Sequence, residues 1–126
     1  MTSADLDDLL PLSAPVLHIL LALGQDSLHG YAIMQAIEAK TGGKASVLPG
    51  TLYSTLNRML DDGLIQEATE RPEDDDRRRR YYHLTDFGRR VVAAEAERMA
   101  VLLNVAREER LVGEDPGGLA TDNAAR

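Results

Sequence analysis

Cysteine is absent from the 126 residues, which excludes disulfides, thiolate nucleophiles and thiolate metal sites together and leaves the compartment open. Tryptophan is absent too, and four tyrosines and one phenylalanine supply the aromatic rings. A flat aromatic ligand gripped by stacking is therefore a poorer expectation than an apolar one. The longest apolar run, Val16 to Leu23, is interrupted by His18 and falls far short of the ~20 residues a membrane helix needs; no basic stretch precedes it as in a secretion signal. The expectation is a cytoplasmic protein. The three histidines, His18, His29 and His83, are scattered, without HExxH or paired His–carboxylate spacing, so neither a metal nor another cofactor is expected. No glycine-rich phosphate loop follows a strand and no serine sits in a nucleophile-elbow context, so the chain does not read as an enzyme.

What is present fits one small domain with extensions. Hydrophobic residues make up 44% and charged residues 28%, the balance of a globular chain. The net charge of -7 is awkward for binding a polyanion, but half of the fourteen basic residues lie between Arg71 and Arg90. The acidic excess sits largely in the termini and the last helix, which allows a locally positive face on an acidic body.

The stretch from Pro49 to Ile65 organises the rest. Leu52, Leu56, Met59 and Leu60 fall at i, i+4, i+7 and i+8, the stripe of an amphipathic helix. Pro49 suits the first turn and Gly63 the left-handed position that closes a helix. Thr51, Ser54, Asn57, Arg58 and Asp61 project from the other side. The first four are side-chain types that contact phosphates or base edges in a major groove, although an ordinary solvated face has the same composition. A strand from Leu64 to Glu70, a charged turn from Arg71 to Asp76 and a returning strand from Arg77 to Leu84 follow. The order is recognition helix, then wing.

His29-Gly30-Tyr31, Gly50-Thr51-Leu52-Tyr53, Gly63-Leu64-Ile65 and Tyr81-Tyr82-His83-Leu84-Thr85-Asp86-Phe87-Gly88-Arg89 occur in that order. Together they resemble the successive signatures of the PadR-like transcriptional regulators, over about Leu12 to Leu111. The resemblance implies a mainly α fold with a small β-hairpin: a winged helix-turn-helix followed by a long C-terminal dimerisation helix. It implies a homodimeric, DNA-binding repressor on an inverted-repeat operator, released by a small molecule or other signal. It also implies DNA contacts from Tyr31, Thr51, Tyr53, Ser54, Asn57 and Arg58, and from Arg77, Arg78, Arg79 and Arg80 in the wing. Two features depart from the family's usual pattern. Leu48 stands where a capping hydroxyl residue is common, and Glu73 to Asp76 give the wing an acidic tip, either a solvated self-neutralising loop or a mask over the arginines.

In chain order, residues 1–11 form an N-terminal extension in which Leu6, Leu9 and Leu10 alternate with Asp5, Asp7 and Asp8, either a turn packed on a partner subunit or a frayed end. Residues 12–84 hold the winged helix. Ser13 caps a helix from Ala14 to about Leu23 with almost no polar face, which predicts cover from its own domain and from a second chain through Leu17, Leu20 and Leu21. His18 reads as a core or interface residue. Gln25 to Leu28 is a polar turn, and a second helix runs from about His29 to Thr41. Its Gly30 permits close approach to a phosphate or to a neighbouring helix, and Tyr31 is a core filler unless its hydroxyl reaches DNA as the resemblance implies. In the wing, Tyr82 and Leu84 share a face, with Tyr82 in the core.

Thr85 caps a helix over 85–111 in which Val92, Ala96, Met99, Leu103 and Ala106 make a seam that calls for a second chain, while Glu95, Glu97 and Arg98 take the remaining surface. Residues 112–126 read as a disordered tail. The competing function is a winged-helix module that binds protein; it keeps the same core without needing the wing arginines.

Overall fold

The computed structural model describes residues 3–69 and 78–113, and the side chains from Leu6. The chain forms two compact units, 1–93 and 94–126. The first is built from helices α1 (Ser3–Asp8), α2 (Ala14–Ala22), α3 (Gly30–Lys40) and α4 (Pro49–Asp61) and strands β1 (Leu28–His29), β2 (Ile65–Glu67) and β3 (Tyr81–Leu84). Helix α5 (Asp86–Glu108) begins in the first unit and continues into the second.

The apolar stripe of α4 explains its place at the centre of the first unit. Leu52, Leu56 and Met59 are fully buried against Ile33 and Ile37 of α3 and Ile19 and Leu20 of α2, while Leu60, at the edge of the stripe, is half-buried. Burying each of these large side chains is worth about 1.5–3 kcal/mol, which outweighs an N-terminus that lacks a side-chain cap at Leu48. The other end closes as the sequence predicts. Gly63 adopts φ 76°, its N–H donates to the Leu60 carbonyl at 3.2 Å, and the Leu64 N–H donates to the Met59 carbonyl at 3.0 Å. These are the paired bonds of a Schellman stop, and they turn the chain directly into β2.

The sheet has three antiparallel strands in the order β1-β3-β2, with Ile65 opposite Leu84, Glu67 opposite Tyr82, and Leu28 opposite Tyr82 on the other edge. Only the hairpin is predictable from the sequence. β1 is two residues long, too short to show alternation, and lies where the composition reads as a polar turn. Both wing strands are shorter than their patterns predict: β2 pairs over Ile65–Glu67, β3 starts at Tyr81, and Arg78 to Arg80 precede the ladder. The alternation in β3 is as expected, with Tyr82 and Leu84 buried and Tyr81 and His83 half-buried.

Thr85 caps α5. Its Oγ1 accepts the Gly88 N–H at 2.9 Å and donates to the Gly63 carbonyl at 2.6 Å, joining the helix start to the end of α4. A side chain on Gly88 would put its Cβ 2.1 Å from the Leu64 carbonyl oxygen, so only glycine allows this packing. Phe87 and Val91 then bury in the same core, and the first turns of α5 belong to the first unit.

Three readings of the N-terminal half change. Residues 3–8 are helical rather than frayed, and Leu6, Leu9, Leu10 and Leu12 pack half-buried against the chain's own core. Ser13 occupies the N-cap of α2, but its side chain makes no capping bond; its backbone carbonyl accepts from Leu17 instead. Leu20 is fully buried among core side chains, which leaves it no surface for a second chain, whereas Leu17 is half-buried and Leu21 is 50% exposed. His18 is half-buried.

In the second unit, Ala96, Met99 and Leu103 are exposed and Ala106 is half-buried. Leu102, Val101 and Val105 are exposed as well, so the apolar surface is wider than a narrow heptad seam. Glu95, expected at the surface, is fully buried and accepts a hydrogen bond from Arg98 Nε, which raises the guanidinium's pKa further. Helix α5 stops three residues earlier than the composition suggests: Arg110 takes φ 61°, and the Leu111 N–H donates to the Ala106 carbonyl at 2.8 Å.

Candidate nucleic-acid interface

On α4, Gly50, Ser54, Asn57 and Asp61 recur at i, i+4, i+7 and i+11 and are all exposed, opposite the buried Leu52, Leu56 and Met59. Tyr53 lies on one flank of that face, 50% exposed, and Thr51 and Arg58 lie exposed on the other. The Ser54 hydroxyl donates to the Thr51 carbonyl at 3.2 Å, leaving its oxygen to accept from outside.

Beside this face, α3, α4 and the wing enclose a cleft of about 440 Å3 lined by His29, Gly30, Tyr31, Tyr53, Asn57, Tyr82 and the three arginines Arg78, Arg79 and Arg80. Each wall has a local cause. His29 ends β1 and caps α3, its Nδ1 accepting the Ala32 N–H at 3.3 Å, and its ring meets Tyr81 edge-on at 5.3 Å. That fixes the start of α3 against the sheet. A Cβ at Gly30 would lie 2.5 Å from the Tyr53 hydroxyl oxygen and 2.9 Å from its Cζ. Of the two uses open to Gly30, the structure thus shows close approach to a neighbouring helix, with the Tyr53 ring laid over the start of α3. Tyr31, next in the chain, is 59% exposed and is not a core filler.

The opposite wall is cationic. Arg78, Arg79 and Arg80 reach the cleft just before the β3 ladder, and among the described residues no carboxylate lines it. Glu67 lies on the neighbouring strand with its Oε1 4.0 Å from Arg80 Nε, both side chains well exposed. Tyr82 forms the cleft floor. Burial pushes its hydroxyl above the ordinary tyrosine range, the nearby Arg80 charge works against that, and Glu67 and Tyr53 add to it. Three guanidinium groups, two exposed tyrosine rings and an amide make a surface that suits an anionic ligand presenting both phosphates and polar edges.

The structure therefore gathers Tyr31, Tyr53, Asn57, Arg78, Arg79 and Arg80 and keeps Thr51 and Ser54 on the adjoining helix surface. Arg58 stands apart. It lines a smaller cleft of about 160 Å3 with Leu9, Leu12, Ser13, Val16, Asp62 and Leu64. Arg77 and the acidic run Glu73 to Asp76 lie outside the described residues. His29 and Tyr82 are the lining residues that the sequence does not nominate, since histidine is not among the favoured helix caps and Tyr82 reads as core. The one signal for His29 is the His29-Gly30-Tyr31 motif. Among the described residues no cluster of His, Asp and Glu is placed to hold a metal ion, and no helix is long and apolar enough to cross a membrane.

The profile of the transcriptional regulator PadR-like family matches residues 19–94, more than half of the chain, from the second half of α2 to the early turns of α5. The chain belongs to the PadR-like family of transcriptional regulators. The PadR-like fold is shared with a PadR family transcription regulator from hypervirulent Clostridium difficile, at TM-score 0.65 and 22% identity over 76% of this chain and 97% of that one. The RosR protein of H. salinarum, in its hsRosR-S4 complex, is 27% identical with TM-score 0.63 over 96% of each chain. An uncharacterized 37.1 kDa protein in transposon TN4556 of Streptomyces fradiae is 37% identical over 110 residues, 86% of this chain; the chain spans 30% of that protein's length.

Proposed function

We propose that this PadR-like protein is a homodimeric cytoplasmic repressor that reads an inverted-repeat operator and is released from it by a small molecule or another signal. Asn57 and Ser54 on the exposed face of α4 address base edges, and Tyr31, Tyr53 and the wing arginines hold the sugar–phosphate backbone. The observation that carries this reading is the cleft beside α4, with three arginines and, among the described residues, no carboxylate in its lining. It supports a polyanionic ligand despite the net charge of -7. The exposed Met99, Leu102 and Leu103 on α5 support a second copy as partner and an apolar effector rather than a flat aromatic one.

A gel-shift with the duplex upstream of the protein's own gene tests DNA binding directly. The expected result is a shifted band that survives random competitor and weakens steeply with salt, as phosphate contacts require. Footprinting should show two protected half-sites centred about 34–36 Å apart or a multiple of that distance. A single asymmetric half-site protected by a dimer would contradict the symmetry, and no shift at any salt concentration would remove the DNA reading.

A further inference from the structure

Among the described residues nothing requires a glycine at position 50. Gly42, Gly43 and Gly63 adopt positive φ, which other residues rarely tolerate, and Gly30 and Gly88 sit where a Cβ would collide with Tyr53 and with the Leu64 carbonyl. Gly50 does neither. It lies in the first turn of α4 with negative φ, and an added Cβ would meet nothing within 4 Å. Alanine is the better helix former, so glycine at this position costs stability without a packing or conformational return among the described residues. It is nevertheless on the exposed stripe it shares with Ser54 and Asn57, one turn ahead of Ser54.

A residue without a side chain, unexplained from within and aligned with the proposed reading face, is explained by close approach from outside. We infer that Gly50 is the position at which the α4 backbone comes into van der Waals contact with the DNA duplex, and that it sets how deeply the helix seats in the major groove. The inference rests on the DNA-binding reading above and deepens it. Gly50 acts as a positioning residue: it makes no polar contact itself, and it sets the distance from which Asn57 and Ser54 reach base edges. The neighbouring Leu48, 74% exposed, and Pro49, also exposed, leave this end of the helix uncharged, so its approach to base edges strips no ion of its water.

The test uses the full chain and a duplex selected from a randomised pool on the wild-type protein, with an unrelated duplex of equal length as control. Gly50→Ala, Gly50→Ser and Gly50→Leu are each measured for melting temperature, sedimentation and affinity. The expected outcome is unusual for a binding-defective variant: Gly50→Ala melts at or above the wild-type temperature, sediments unchanged, and binds the selected duplex at least about tenfold more weakly, a loss comparable to that of one base contact. The loss should deepen from alanine to leucine while the protein stays folded. If Gly50→Ala is stable and binds the selected duplex within about twofold of wild type, well below the value of a base contact, the close approach does not exist. A lowered melting temperature would overturn the inference differently, by showing an internal role. If the wild-type protein selects no duplex at all, it is the DNA reading that fails, and this inference falls with it.

Discussion

Two exposed helix surfaces in this protein differ in kind. On α4 the exposed stripe is Gly50, Ser54, Asn57 and Asp61, small or polar; on α5 beyond Ala94 it includes Met99, Leu102 and Leu103, all apolar. Both helices bury or can bury one side, yet what they leave uncovered has opposite chemistry. A polar face loses little in water and gains specificity only when it meets matching donors and acceptors. An apolar face on a 23-residue helix is a standing cost in water, and covering it is favourable whatever the precise contacts. The first suits recognition of an edge pattern, the second permanent association with a like surface.

The largest effect should come from breaking the apolar surface. Replacing Met99 and Leu103 with Asp should convert dimer to monomer by sedimentation. Because two linked half-site contacts gain roughly 10²–10⁴ in avidity over one, operator affinity should fall by a comparable factor. The fold of residues 1–93, monitored by its thermal transition, should persist. A well-folded double variant that still sediments as a dimer would show that this stripe is not the interface.

The polar surface should respond on a smaller scale and selectively. Asn57→Ala removes a bidentate partner of the kind that fits adenine, worth about 1–3 kcal/mol at the cognate site, and should leave binding to unrelated duplexes nearly unchanged. Arg58→Ala should have a weaker selective effect than Asn57→Ala, because Arg58 lies on the flank toward Leu9, Ser13 and Asp62 rather than in the main cleft. Titrating each variant against cognate and random DNA separates the two. Equal losses on both duplexes for Asn57→Ala would reassign it to the backbone. Arg78→Ala and Arg80→Ala should instead weaken all duplexes alike, and each lost phosphate contact should reduce the slope of log affinity against log salt by about one unit.

The same contrast marks what the sequence makes legible. Helix α4 declares itself because its stripe, its Pro49 and its Gly63 agree, and Thr85 announces α5 for the same reason: local chemistry and tertiary packing point the same way. The cleft is legible only in part. Asn57 and the arginines carry the right chemistry, but nothing in their spacing shows that Asn57 and Arg58, adjacent in the chain, line different clefts. Helix geometry separates neighbours by about 100°, and which side meets the wing depends on how α4 packs. His29 and β1 are hidden because a two-residue strand has no periodicity and is made by its partner, β3. Leu20 misleads for a related reason. In a helix apolar on every side, the sequence cannot distinguish the fully buried Leu20 from the exposed Leu21.

The smallest effect belongs to the edge of the cleft, where the two surfaces' logic meets in one pair. Glu67 and Arg80 approach to 4.0 Å across the two wing strands, at 52% and 69% side-chain exposure, so water screens most of their attraction. For folding, the pair matters little, and Glu67→Gln should leave the melting temperature essentially unchanged. In the proposed DNA complex the sign is different: the carboxylate would compete with phosphate for the Arg80 guanidinium and add a negative charge beside a polyanion. Its removal should therefore raise affinity for every duplex, by less than about fivefold, the range of an exposed ion pair. The gain should shrink as salt rises, because at 0.1 M the screening length is already about 10 Å. Measuring Glu67→Gln at low and high salt on cognate and random DNA checks both parts. A gain confined to the cognate duplex would mean that Glu67 takes part in reading sequence. Unchanged binding at low salt would mean that Arg80 does not meet phosphate, and the backbone-holding role would pass to Arg78 and Arg79.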